Sequence, residues 1–212
     1  MEKAHEGLAP FLKFGSSQET MDLADYIDGE GNLVIPVDSL QPKRAVPDRE
    51  REEIRQALQG RFPSEQLNDL AELLHLYIRD ADDNLAAMDR LAKDLDSPAG
   101  QAIVRELRRY LDDPHDAFPE AQYGTVGRLD DSMLIHNTAY RIAEAGLVPA
   151  DRFPVDWQVI AVADGVVRTL LPFHVVGQLE QRIAVSVQAL VQEASGYSPQ
   201  LTRLGEIGRA HV

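Results

Sequence analysis

The chain of 212 residues contains no cysteine. That excludes disulfides, a thiolate nucleophile and any zinc site built on cysteine sulfur, and it fits a reducing, cytoplasmic setting. Aromatic residues are only 6% of the chain, with one tryptophan, too sparse for the stacking platforms that read single-stranded nucleic acids. Positive charge is also short: 21 Lys and Arg against 35 Asp and Glu give a formal net charge of −14. A field of that sign repels phosphate backbones and anionic lipid heads, keeps a protein soluble and favours cations and basic protein partners. Long apolar runs are missing too. The longest stretch without a charged residue, 169–179, contains Pro172 and His174, whereas a membrane-spanning helix needs about 20 mostly apolar residues. The first residues, MEKAHEGLAPFLKFG, show neither the apolar run nor the cleavage site of a signal peptide. The expectation is a soluble cytoplasmic protein with a protein partner, no nucleic acid and no transmembrane span.

What remains is an ordinary globular balance, 44% hydrophobic and 26% charged, in a chain long enough to bury a core without covalent staples. Residues 1–62 read as an extension. A short helix over 3–14 is weakened by Gly7 and Pro10. The turn chemistry Asp28-Gly29-Glu30-Gly31-Asn32, between Tyr26-Ile27 and Leu33-Val34-Ile35, suggests a small hairpin. Its acidic residues are not spaced as in an EF-hand, so it is not read as a calcium loop. Pro36, Pro42 and Pro47 mark a linker, and Asp48 is a candidate N-cap for a charged helix to about Leu58.

Residues 63–205 read as a helical domain. Leu67, Leu70, Leu74, Tyr77, Ala81, Leu85, Met88, Ala92 and Leu95 recur at steps of three or four. They predict a one-faced amphipathic helix with a possible break at 80–84, and a stripe through which two copies could pair across residues 63–95. Ser97-Pro98 predicts a cap and first turn for a helix ending before Pro114. Asp130 is a candidate cap for a helix to about Ala145, terminated by Gly146. Two apolar helices, 156–171 and 173–193, are split by Pro172. The predicted fold is mostly α, a bundle of six to eight helices with a small irregular N-terminal piece.

The chain ends Ile207-Gly208-Arg209-Ala210-His211-Val212. In the codons ATC GGA AGA GCA CAC GTC followed by a TGA stop, this is a common short-read sequencing adapter translated in frame. Residues 206–212 are therefore expected to be non-native, with the natural frame continuing beyond about Gly205.

Chemistry concentrates between residues 110 and 131. Asp116, Glu120, Asp130 and Asp131 bring four carboxylates into a short span of two predicted loops. Hard oxygen ligands of this type suit Mg²⁺, Mn²⁺ or Ca²⁺, with Asp116 and Asp131 first among them, and His115 and His136 would join for a softer ion. A cation held there would polarise a phosphate or activate water. The competing reading is structural: Asp116 capping a turn, Asp130 capping a helix, and Asp131 favoured by the positive end of that helix.

The run Tyr110-Leu-Asp-Asp-Pro114-His115-Asp116-Ala-Phe-Pro119-Glu120, followed by Gly127-Arg-Leu-Asp130-Asp131, together with Asp96-Ser97-Pro98 upstream, resembles the YkvA-like family of unknown function. The resemblance covers roughly residues 65–140. The stretch between Pro114 and Gly127 is one residue longer than in the family pattern. The helices around the motif carry Arg105, Glu106, Arg108, Arg109 and Arg141, where family members are far more apolar, so a membrane location does not carry over. The family brings no established reaction. Without a closed set of nucleophile, base and oxyanion donors, binding or scaffolding is expected rather than turnover.

A second resemblance gives the alternative. HD-type phosphohydrolases are all-α and present His, His-Asp and Asp in that order, as do His75, His115-Asp116 and Asp164 here, with Ile160-Ala-Val-Ala-Asp164 similar to the last motif. That resemblance implies a divalent-metal phosphoester hydrolase. The departure is that Pro114 precedes the His-Asp pair, which in those enzymes lies within an apolar helix. No glycine-rich phosphate loop, serine elbow or His-Glu-x-x-His motif is present.

Overall fold

The computed structural model describes residues 48–113, 116 and 118–196. The hairpin and linker expected in 1–47, His115 and the C-terminal segment lie outside them. Among the described residues the fold is all-α, with no strand. Six helices of eleven residues or more are α1 (Asp48–Leu58), α2 (Leu67–Asp94), α3 (Pro98–Leu111), α5 (Leu129–Glu144), α6 (Trp157–Leu170) and α7 (Phe173–Ala194). Between α3 and α5 lie a one-turn helix, α4 (Glu120–Tyr123), and a 3-10 turn, Gly124–Arg128. No helix is long and apolar enough to cross a membrane among the described residues.

Several helix ends fall where the sequence puts them. Ser97 Oγ accepts from Gly100 N at 2.9 Å, with Pro98 in the first turn of α3. Asp156 accepts from the Gln158 and Val159 amides at the head of α6. Gly146, at φ +69°, leaves α5 in the left-handed region that glycine enters freely. Pro172 separates α6 from α7 because it cannot donate into a continuing helix.

α2 differs from the sequence expectation in two ways. It runs 28 residues without the break considered at 80–84. It is also buried on more than one face. Leu73, Leu76, Ile78 and Ala87, off the predicted stripe, are as inaccessible as Leu70, Leu74 and Tyr77. α1, α3, α5 and α6 of the same chain pack around it, so α2 is the central post of the bundle. Burying each of its leucines contributes about 1.5–3 kcal/mol, which makes this helix the main hydrophobic source of stability.

The charged α1 is held to the post by the buried Ile54 and Leu58 and by an ion pair of Arg51 with Glu72 at 2.9 Å; His75 Nδ1 lies 3.4 Å from Glu50, with burial lowering the pKa of its ring. Trp157, the one tryptophan, packs edge-on against Phe153 and Tyr140, and its indole N–H donates to the Ala150 carbonyl at 3.2 Å.

A polar cluster runs through the apolar interior. Asp164 on α6 accepts from Tyr77 Oη at 2.9 Å, Asn137 Nδ2 at 2.6 Å and Arg168 Nε at 2.6 Å. Arg168 continues to Glu180 on α7 at 2.6 Å. Beside it, fully buried His136 uses both ring nitrogens, Nε2 donating to the Tyr77 carbonyl and Nδ1 accepting from Asn84 Nδ2, each at 2.8 Å. Burial lowers its pKa to about 4, so the ring is neutral. These bonds tie α2, α5, α6 and α7 into one register.

Candidate metal centre

The site is built from a short motif with little freedom. At Gly127 a Cβ would lie 2.6 Å from Glu120 Cα and 2.7 Å from its amide nitrogen. No side chain fits, because the 3-10 turn lies directly on the backbone of α4. Gly124, at φ +60° and ψ −142°, makes the tight step from α4 into that turn. Glu53 of α1 braces the same turn, accepting from Thr125 N at 3.0 Å and from Thr125 Oγ1 at 2.7 Å. The Thr125 amide and hydroxyl, together with Arg49, hold the Glu53 carboxyl down to about 2. Replacing Gly127 by alanine should therefore force backbone apart, costing about 1–3 kcal/mol as overpacking does. Urea unfolding of the variant measures it, and an unchanged midpoint would show that the two turns are not in contact.

This packing sets where α5 begins. It starts at Leu129, one residue before the expected cap, and no side chain caps it. Asp130 is therefore not the cap: as the second helical residue it points inward and is completely buried. Its Oδ2 accepts from Tyr110 Oη at 2.7 Å. Its Oδ1 is shielded from solvent and has no hydrogen-bond partner, and the same holds for Asp131 Oδ1. Asp116 does make the expected turn contact, accepting from Phe118 N at 3.0 Å. One carboxylate oxygen from each of Asp116, Asp130 and Asp131 lies within 4.8 Å of the other two.

The electrostatics follow from that crowding. Burial, then the neighbouring Asp116 charge, pushes Asp130 up to about 7 against the Tyr110 hydrogen bond. The amides of Asp130 and Asp131 also pull it down, yet neither reaches Oδ1 in hydrogen-bonding geometry. Burial, then the Asp130, Asp116 and Glu120 charges, pushes Asp131 up to about 8, with Arg128 opposing. Burial also raises Asp116, against the Phe118 amide.

Opposed ligands stand about 4.0–4.2 Å apart around Mg²⁺ and about 4.6–5.2 Å apart around Ca²⁺, twice their metal–oxygen distances. Three oxygens within 4.8 Å match either ion after small side-chain rotations. The donors are the hard carboxylates those cations select. Asp116 and Asp131 open onto a cavity of about 460 Å³.

Of the four carboxylates expected, three converge. Glu120 stays at the rim, largely exposed and paired with Arg128 at 3.2 Å, and acts on Asp131 through its charge. The HD-type set does not assemble among the described residues. His75 is at the α1 contact, Asp164 is committed to Tyr77, Asn137 and Arg168, and neither joins Asp116 in a ligand group. His115 lies outside the described residues. His136 has no ring nitrogen left for a metal. Two contributors escaped the sequence reading. Tyr110 opens the motif without an assigned role, and its hydroxyl fixes Asp130. Arg128, beside Gly127 in the motif, is the one basic residue lining the cavity among the described residues. Comparison of the chain with protein-family models, curated proteins and solved structures finds no match.

Proposed function

We propose that the chain is a divalent-cation-binding helical module that acts by binding rather than by turnover, with Asp116, Asp130 and Asp131 as ligands for Mg²⁺, Mn²⁺ or Ca²⁺. One observation carries this: Oδ1 of Asp130 and Oδ1 of Asp131 are shielded and have no donor, in a group where one carboxylate oxygen from each of these residues and from Asp116 lies within 4.8 Å of the other two. An ionised oxygen left in that state costs a full desolvation penalty, which a proton or a cation removes. The similarity of residues 110–131 to the YkvA-like motif fits such a module, since its Gly127 and Asp130-Asp131 are the residues that form the site. A bound cation would lock the start of α5 against α3 and the turn holding Asp116, offering a rigid face to a protein partner.

A second reading, metal-dependent hydrolysis of a phosphoester, draws on Arg128 in the same cavity. It ranks below the first because six carboxylates (Asp82, Asp112, Asp113, Asp116, Glu120 and Asp131) line that cavity against one guanidinium. A single divalent ion leaves it anionic and repulsive to phosphate.

The test is a thermal melt in EDTA and in Mg²⁺, Mn²⁺, Ca²⁺ and Zn²⁺, repeated on Asp116→Asn and Asp131→Asn. A cation at a hundred times its Kd stabilises by about 2.7 kcal/mol, or roughly 5–10 °C for a chain of this length. Both variants should lose the shift while remaining folded. No shift with any of the four ions overturns the proposal. A shift that survives both substitutions places the cation elsewhere. Metal-dependent turnover of a generic phosphoester would move the second reading to the front.

A further inference from the structure

At the other ends of α3 and α5 lies a second cavity, of about 360 Å³. α3 has 14 residues and so spans about 21 Å. The two cavities are therefore separate sites at opposite ends of the same two helices. The second cavity's wall is mainly apolar, with Met88, Leu91, Val104, Ile142, Phe153 and Leu190 among the lining residues. The cavity's volume is within the ordinary range of small-molecule sites. It has room for about a dozen non-hydrogen atoms at roughly 30 Å³ each.

The polar features are all of one sign. Glu193, near the end of α7, accepts from the Ala99 amide at 3.0 Å and from Ser97 Oγ. Its carboxylate is thus fixed at the cavity wall with lone pairs to spare. Asp96 is also part of the lining, and among the described residues no lining residue is basic. Leu95, beside Asp96, leaves 62% of its surface exposed, an apolar rim next to an acidic one.

We infer that this cavity is a binding site for a small amphipathic cation, its apolar body between α2, α3, α5 and α7 and its ammonium head on the Glu193 carboxylate. A fatty carboxylate of the same length would set its head against Glu193 and Asp96, and nothing in the lining would neutralise it. The charge of the walls therefore distinguishes the two amphiphiles where shape does not. The fixed carboxylate is also preorganised, so a head group meets it without ordering a side chain first.

The test is calorimetric titration of the full chain with decylammonium, decanol and decanoate, each below its micellar concentration. Decylammonium should bind at micromolar Kd and decanoate at least about tenfold more weakly, a difference expected of one fixed charge. Glu193→Gln should bring the two within about threefold of each other. Ala194→Trp, at an exposed lining position, should weaken decylammonium by about tenfold or more with the helical circular dichroism unchanged. Asp131→Asn should leave all three affinities alone. Equal or tighter binding of decanoate overturns the inference. So does decylammonium binding that survives Ala194→Trp but disappears in high salt, which is attraction to the acidic surface at large. Failure of the metal test does not touch this site, and failure here does not touch the metal centre.

Discussion

Asp164→Ala should be the most damaging single substitution outside the hydrophobic core, costing about 3–5 kcal/mol, as breaking one side of a buried ion pair does. The carboxylate is the shared acceptor for Tyr77, Asn137 and Arg168. Its removal takes the acceptor from the buried Tyr77 phenol, leaves the Asn137 amide to the Met133 carbonyl, and strips Arg168 of a charge partner while it keeps Glu180. Arg168→Ala should cost less, because Asp164 keeps two neutral donors. A double-mutant cycle on Asp164 and Arg168, read from urea midpoints, isolates the coupling between them. In a chain of this length the Asp164→Ala loss corresponds to roughly 6–20 °C in Tm. A loss below about 1 kcal/mol, an ordinary surface effect, would mean that water reaches the cluster and that it does not set the register of the helices. Cation binding at the aspartate centre should be unchanged in a folded Asp164 variant, whereas an HD-type site would lose it.

The second large effect is an inverted pH dependence. Most proteins gain stability as their carboxylates ionise. Here Asp130 and Asp131 are raised from 3.8 to about 7 and about 8, so the folded chain holds protons that the unfolded chain has released. The stability they contribute is complete below about pH 4 and is lost as pH rises through 7 and 8. His136 works in the opposite sense lower down. Its pKa falls from 6.5 to about 4 on burial, so it penalises the fold only below pH 6.5. Between pH 6.5 and 8 the aspartate pair should therefore dominate. Each proton the folded chain still holds there, and the unfolded chain does not, costs about 1.4 kcal/mol per pH unit, and the pair titrates as one coupled system. Urea midpoints at pH 6.5, 7.25 and 8 in EDTA should fall steadily. The double variant Asp130→Asn, Asp131→Asn should flatten the profile, and saturating Mg²⁺ or Ca²⁺ should restore the wild-type midpoint at pH 8. A midpoint that rises across this window would mean the two carboxyls are already ionised and solvated in the fold.

Much of the architecture was legible because it depends on local chemistry. Ser97-Pro98, Asp156, Gly146 and Pro172 mark helix ends through hydrogen bonds and dihedral angles that reach no further than a few residues. The centrality of α2 was not legible in the same way. A stripe at steps of three and four reads as one face, and Leu73, Leu76 and Ile78 gain meaning only when four other helices pack around α2. The clamp on Asp164 joins residues 87, 27 and 4 positions away, and only the last separation is a helical one. The aspartate cluster was legible in composition but not in role. With α5 starting two residues earlier than a cap at Asp130 would set, Asp130 turns from a solvent-side cap into a buried group. That shift traces to Gly127 and its contact with α4, a contact of backbone on backbone that leaves no hydrophobic periodicity to read.

The lone indole makes the molecule its own optical probe, but of one corner only. Trp157 sits against Phe153 and Tyr140 with its N–H on Ala150, at the junction of α5 and α6 and outside both cavity linings. Its emission reports the loosening of that corner, while far-ultraviolet ellipticity averages over every helix. Superimposable transitions by the two signals would establish that the bundle melts as a single cooperative unit. An emission change that precedes the loss of ellipticity would identify the α5–α6 corner as the first part of the fold to open.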